Sequence, residues 1–131
     1  MERSAASHAV LVVSANDALA RLIRKAAKGR LPVLIRQWTV PDRELLRQMR
    51  PKLIVIDDAN SEKDERVWML TQIKRFAPDS AIFYLAAEHT TQLERQVRAA
   101  GVAYYGARDD TRLYAVADKL CARFGEPAAA H

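Results

Sequence analysis

Five short apolar runs recur along the chain, and each is followed by a stretch whose apolar residues repeat at helical spacing. That alternation leaves few architectures open. Residues 8–13 form a nearly continuous apolar run, as a strand buried on both faces should. Ser14, Ala15, Asn16 and Asp17 supply turn and cap chemistry, with Asp17 as the expected helix N-cap. Leu19, Leu22, Ile23, Ala26 and Ala27 then repeat along residues 18–28, with Arg21, Arg24, Lys25 and Lys28 mostly on the other side. Gly29 ends this helix, since glycine most easily takes the left-handed conformation of a helix stop.

Residues 31–38 read as a second strand, placed at an edge because Arg36 and Gln37 interrupt it. Pro41 and Asp42 open a short helix reaching about Arg50, which Pro51 breaks. Residues 53–56 are the most uniformly apolar strand, closed abruptly by Asp57 and Asp58. A charged stretch at 61–66 leads into a helix whose Met69, Ile73 and Phe76 share a face. Pro78 ends it, and residues 81–87 form the fourth strand. Thr90 or Thr91 caps a helix carrying Leu93, Val97 and Ala100, Gly101 stops it, and residues 102–106 are the fifth strand. A final helix carries Leu113, Val116, Ala117, Leu120 and Phe124 as its core stripe, and Gly125 and Pro127 end it.

Strands alternating with helices in units of roughly 20 to 25 residues argue for a parallel sheet covered on both faces. In such sheets the working site lies beyond the carboxyl ends of the strands. That points to residues 14–17, 57–60, 86–89 and 107–110.

Length and charge narrow the function classes. A chain of 131 residues suits one domain, read here as residues 1–125 with 126–131 as a flexible tail or linker stub. No apolar run is long enough to cross a bilayer, and residues 1–8 lack a signal peptide's apolar centre. With a single cysteine, Cys121, the expected compartment is a reducing cytoplasm. Residues 1–52 hold 11 Lys/Arg and 4 Asp/Glu, a charge of +7, whereas residues 53–131 carry −2. The basic positions are scattered without interleaved aromatics, so direct nucleic-acid binding is not expected. A solvated helix face is the preferred reading, and the basic first helix offers a surface to an acidic partner.

Catalytic and metal chemistries lack their signatures. His8, His89 and His131 have no zinc-type spacing. Ser14 sits in no nucleophile elbow, and no glycine-rich phosphate cradle is present. Cys121, Trp38 and Trp68 read as core or half-buried side chains.

With these runs in order, residues 8–124 resemble the receiver domain of two-component response regulators. Val10-Leu11-Val12-Val13 and the helix from Asn16 look like a receiver's opening unit. Pro51 to Asp57 looks like the phosphoacceptor strand, with Asp57 at the acceptor position. Ala99-Ala100-Gly101 before Tyr104 and Tyr105 is similar to the family's later signature. The resemblance implies an α/β, flavodoxin-like, doubly wound five-stranded parallel sheet of order 2-1-3-4-5 with five helices.

Measured against that family, the site is degenerate. The two acidic residues that hold Mg²⁺ are replaced by Ser14 and Ala15, which leaves Asp57 as the clear carboxylate ligand. The hydroxyl residue ending the fourth strand is Ala86. The lysine after the fifth strand is Arg108, which either pairs with Asp57 or turns to solvent. Asp58 reads as a solvated loop residue pointing away from Asp57. The resemblance places Tyr104, Tyr105 and Tyr114 on a surface of fourth helix, fifth strand and fifth helix that serves dimerisation or output contacts, while half-buried packing is expected of Tyr105.

The expectation is therefore a non-enzymatic, atypical receiver (a pseudo-receiver) with no resident cofactor. It acts in signalling or transcriptional control through phosphorylation-independent contact with a signalling protein, an output domain or a second copy. Two rivals stand. One is a phosphoacceptor using Asp57 with unusual Mg²⁺ ligation, and the other is a small-ligand sensor in the emptied pocket.

Overall fold

A computed structural model describes residues 10–14, 17–27, 32–37, 41–58 and 65–107. Their elements alternate as expected: β1 (Val10–Val13), α1 (Asp17–Ala27), β2 (Val33–Arg36), α2 (Arg43–Met49), β3 (Leu53–Asp57), α3 (Arg66–Phe76), β4 (Ala81–Ala86), α4 (Thr91–Ala99) and β5 (Tyr104–Ala107). The five strands form one sheet in the order β2-β1-β3-β4-β5. Every neighbouring pair is parallel. The expected final helix, with Tyr114 and Cys121, lies outside the described residues, as do Ala15, Trp38 and Arg108.

Alternation of side chains across the pleat divides the core in two. Leu11, Val13, Ile54, Ile56, Ile82 and Tyr84 face α2, α3 and α4, where Leu46, Met49, Met69, Leu70, Ile73, Leu93 and Val97 meet them. Val10, Val12, Leu53, Val55, Phe83 and Leu85 face the other way, against Leu19 and Ile23 of α1. Every residue of β1 and β3 is buried, which is why these strands read as unbroken apolar runs. At the edge, β2 is half-buried and its Arg36 is exposed.

Helix ends follow local chemistry. Asp42 Oδ1 accepts from Leu45 N–H at 3.0 Å, and Thr90 Oγ1 accepts from Leu93 N–H at 3.0 Å. Thr90 rather than Thr91 is thus the cap of α4, and Thr90→Ala is expected to cost about 1 kcal/mol in urea unfolding. Asp17 already stands inside α1 as its first residue. Arg50 ends α2 in the left-handed region at φ 47°, one residue before Pro51, where a following proline disfavours right-handed helix.

Boundaries shift elsewhere by a residue or two: β2 begins at Val33, and β5 runs Tyr104–Ala107 rather than starting at Val102. Ladder pairing sets these limits, since Phe83 to Ala86 have their partners only from Tyr104 onward. Trp68 corrects the reading of its side chain as core or half-buried. It is 46% exposed, because α3 turns Met69, Leu70 and Ile73 to the sheet. No helix among the described residues is long and apolar enough to cross a membrane.

Candidate functional site

Parallel pairing brings the carboxyl ends of β1, β3 and β4 to one edge. Ser14 extends the β1 ladder by one bond, its N–H donating to Arg36 carbonyl at 2.9 Å. This places its hydroxyl over the end of β3, where Ser14 Oγ donates to Asp57 Oδ2 at 2.9 Å. Both side chains are buried, Ser14 6% and Asp57 7% exposed. At the carboxyl end of β3, then, a carboxylate already accepts from a neutral hydroxyl.

Asp58 lies next along the chain and has separate partners. It is 1% exposed, which corrects the expectation of a solvated loop residue. One oxygen, Oδ2, accepts from Tyr84 hydroxyl at 2.5 Å, and Oδ1 accepts from Ala87 N–H at 2.7 Å. Arg66 Nε, at the start of α3, stands 3.4 Å from Oδ2 with its side chain 11% exposed. A buried carboxylate requires this kind of compensation, two donors and a cation. The two neighbouring acids do not form a dyad.

Tyr84 and Arg66 were not singled out as site residues by sequence reasoning. The available signal was a phenol in the middle of the otherwise apolar β4, since a buried tyrosine hydroxyl needs a partner. Burial, then the hydrogen bond to Asp58, then that carboxylate's charge push the Tyr84 phenol well above its usual value. Its ring lies nearly parallel to that of Tyr105, with centroids 5.9 Å apart and planes at 5°.

Tyr105 carries the line outward. Its hydroxyl shares a hydrogen bond with His89 Nδ1 at 2.8 Å, and Arg98 of α4 sits 5.9 Å above its ring. At 7% exposed it is buried, not half-buried, and lies beneath the β4–α4 connection instead of offering contact area. Burial, then the charges of Glu94 and Asp58, raise its phenol as well. Tyr104 points to the opposite face and tilts against Phe83 at 5.2 Å. Ala86 is 1% exposed and presents only a methyl group.

Mg²⁺ takes near-octahedral oxygen coordination, commonly through carboxylates. Here the described residues supply Asp57, with one oxygen engaged by Ser14, while Asp58 is held by other partners. Among them no three His, Cys, Asp or Glu side chains come together. These described donors by themselves fall short of the octahedral set the ion takes.

No family model matches the sequence, and no curated protein matches it. Solved structures do. A response regulator from Thermotoga maritima is 19% identical with a TM-score of 0.70, over 88% of this chain and 98% of that one. An orphan response regulator of H. pylori is 20% identical with a TM-score of 0.70, over 91% and 98%. An atypical orphan response regulator, described as having a phosphorylation-independent regulatory mechanism, is 16% identical with a TM-score of 0.68, over 88% and 93%. At these identities the likeness is one of architecture, and the chain has the CheY-like fold of response regulator receiver domains.

Proposed function

We propose that this chain is an atypical receiver domain that signals through protein contacts without phosphorylation of Asp57. The observation that carries the reading is the Ser14–Asp57 hydrogen bond. Phosphoryl transfer to an aspartate places negative charge beside a carboxylate, and stabilising it calls for a cation held at the reacting oxygens. Ser14, at the position that resembles a magnesium-binding acid, brings no charge. Ala86 brings no hydroxyl to draw toward a phosphoryl group.

A partner in this reading is an output domain, another signalling protein or a second copy, in two-component-type signalling or transcriptional control in the cytoplasm. The surface favoured is α4, β5 and the helix expected after it. Tyr104, Tyr105 and Tyr114 belong to those elements, with Tyr105 acting from beneath. This reading takes residues 1–125 as the domain and 126–131 as a flexible tail or linker stub. For Arg108, on the stretch after β5, the reading keeps both alternatives, pairing with Asp57 or turning to solvent. The orphan and atypical regulators among the structural neighbours support the reading.

Amide NMR during titration with Mg²⁺ and beryllofluoride, a phosphoryl mimic, tests it. The expected result is no saturable shift centred on Asp57, Ser14 or Ala87. A magnesium-dependent shift at those amides, or a stable acyl phosphate on Asp57, would make the domain a working phosphoacceptor.

A further inference from the structure

At the end of the sheet away from Asp57, α2 runs out over the amino ends of β3 and β4. Arg43, Arg47 and Arg50 follow one another at four- and three-residue spacing, so they project from one side. All three are exposed, and Lys52 follows, half-buried. None of the four forms an ion pair among the described residues.

Arg47, Arg50 and Lys52 rim a cleft of about 560 Å³ between the ends of α2 and α3. Its apolar lining residues include Leu46 and Pro51, which are buried, and Pro78, which is exposed, and Asp79 is the one carboxylate among the described residues that line it. The rim is built on fixed backbone. Ser80 hydroxyl donates to Pro51 carbonyl, and Ala81 N–H donates to Lys52 carbonyl at 3.0 Å.

Two plainer explanations fall short. Basic side chains favour a helix C-terminus, but that end carries only about half a negative elementary charge, and Arg50 N–H already answers the carbonyl of Leu46. A surface for single-stranded nucleic acid offers exposed rings for stacking, whereas Arg43 guanidinium lies 5.7 Å above the Phe76 ring.

We propose that this cleft docks an acidic peptide segment of a partner protein. Its carboxylates reach Arg47, Arg50 and Lys52, and an apolar side chain between them lies against the exposed Pro78. Three cations against one carboxylate among the described lining residues complement an acidic segment, and the +7 charge of residues 1–52 steers such a partner toward it. The site stands apart from the reading of Asp57, because the two lie at opposite ends of β3.

The probe is a fluorescein-labelled peptide of six glutamates around one central leucine, followed by polarisation at about 0.05 M salt, where screening is weak. Saturable binding is expected, with amide shifts at Arg47, Lys52, Ala77 and Ser80. Arg47→Glu combined with Arg50→Asn should weaken it about tenfold, taking a modest contribution from each exposed charge. Asparagine is chosen because it tolerates the left-handed backbone at position 50. Arg21→Glu with Arg24→Gln on α1 changes net charge equally and should alter affinity less than about twofold, a screened long-range effect. Lys52→Gln, a milder single change, should weaken binding about threefold. Equal weakening by the two double variants would overturn the proposal. So would absence of binding, or tighter binding of a single-stranded oligonucleotide of the same charge.

Discussion

Asp58→Ala is expected to lower stability by about 3 kcal/mol in urea unfolding, the largest loss from any single polar side chain at the carboxyl edge. Three groups depend on that carboxylate: Tyr84 hydroxyl, Ala87 N–H and Arg66 guanidinium. Alanine leaves two donors and a cation without their acceptor. A fully enclosed pair broken on one side costs about 3 to 5 kcal/mol. The lower figure applies because Arg66, 11% exposed, can swing its head toward water. Asp58→Asn keeps one carbonyl acceptor and should lose about half as much. The Ala87 amide reports the local consequence, since its hydrogen exchange should accelerate in Asp58→Ala. A loss below about 1 kcal/mol would show that water replaces the carboxylate without difficulty.

The second large effect is a steep fall in stability at alkaline pH that depends on Tyr84. Its phenol has an ordinary value of 10.0 and is raised in the fold, by burial first and by Asp58 next. Below pH 10 the folded and unfolded chains both keep the proton, and the contribution is fully present. Above pH 10 the unfolded chain releases the proton while the folded chain holds it. Stability therefore drops by about 1.4 kcal/mol for each further pH unit, until the buried phenol itself ionises. Tyr84→Phe removes this slope. At neutral pH it costs only about 1 kcal/mol, for the hydrogen bond lost by Asp58. Urea midpoints of parent and variant at pH 8 and pH 11 provide the check. Tyr105, raised in the same direction, leaves a residual slope in both proteins. Parallel curves for the two would contradict the assignment to Tyr84.

The fold was largely legible because β1, β3 and β4 are buried on both faces. A strand in that position has no polar side to display, so unbroken apolar runs such as Leu53 to Ile56 announce themselves. Limits set by ladder pairing were less visible, as at β5, where Val102 is apolar yet precedes the first paired residue. Trp68 shows the same weakness on a helix. Its ring suggested a core or half-buried position, while its place on the turn facing away from the sheet left it 46% exposed.

At the site, Asp57 and the uncharged Ser14 could be placed from strand endings alone. The bond between them joins residues 43 positions apart and required the sheet. Asp58 was misread for a related reason. Following an apolar strand it looked like the first loop residue, and its donors come from β4, the β4–α4 connection and α3, none of them near in sequence. Arg66 belonged to a charged stretch whose members are indistinguishable until α3 selects one to face inward.

A parallel sheet sorts its chain ends by direction, every strand finishing on the same side. Five residues of β3 separate Lys52 from Asp57's end of the molecule, roughly 16 Å of extended chain. Bodies seated on the two poles would not touch. A peptide docked, as proposed, in the cleft at Lys52 is held clear of the Asp57 edge, with the rigid central strand as its spacer.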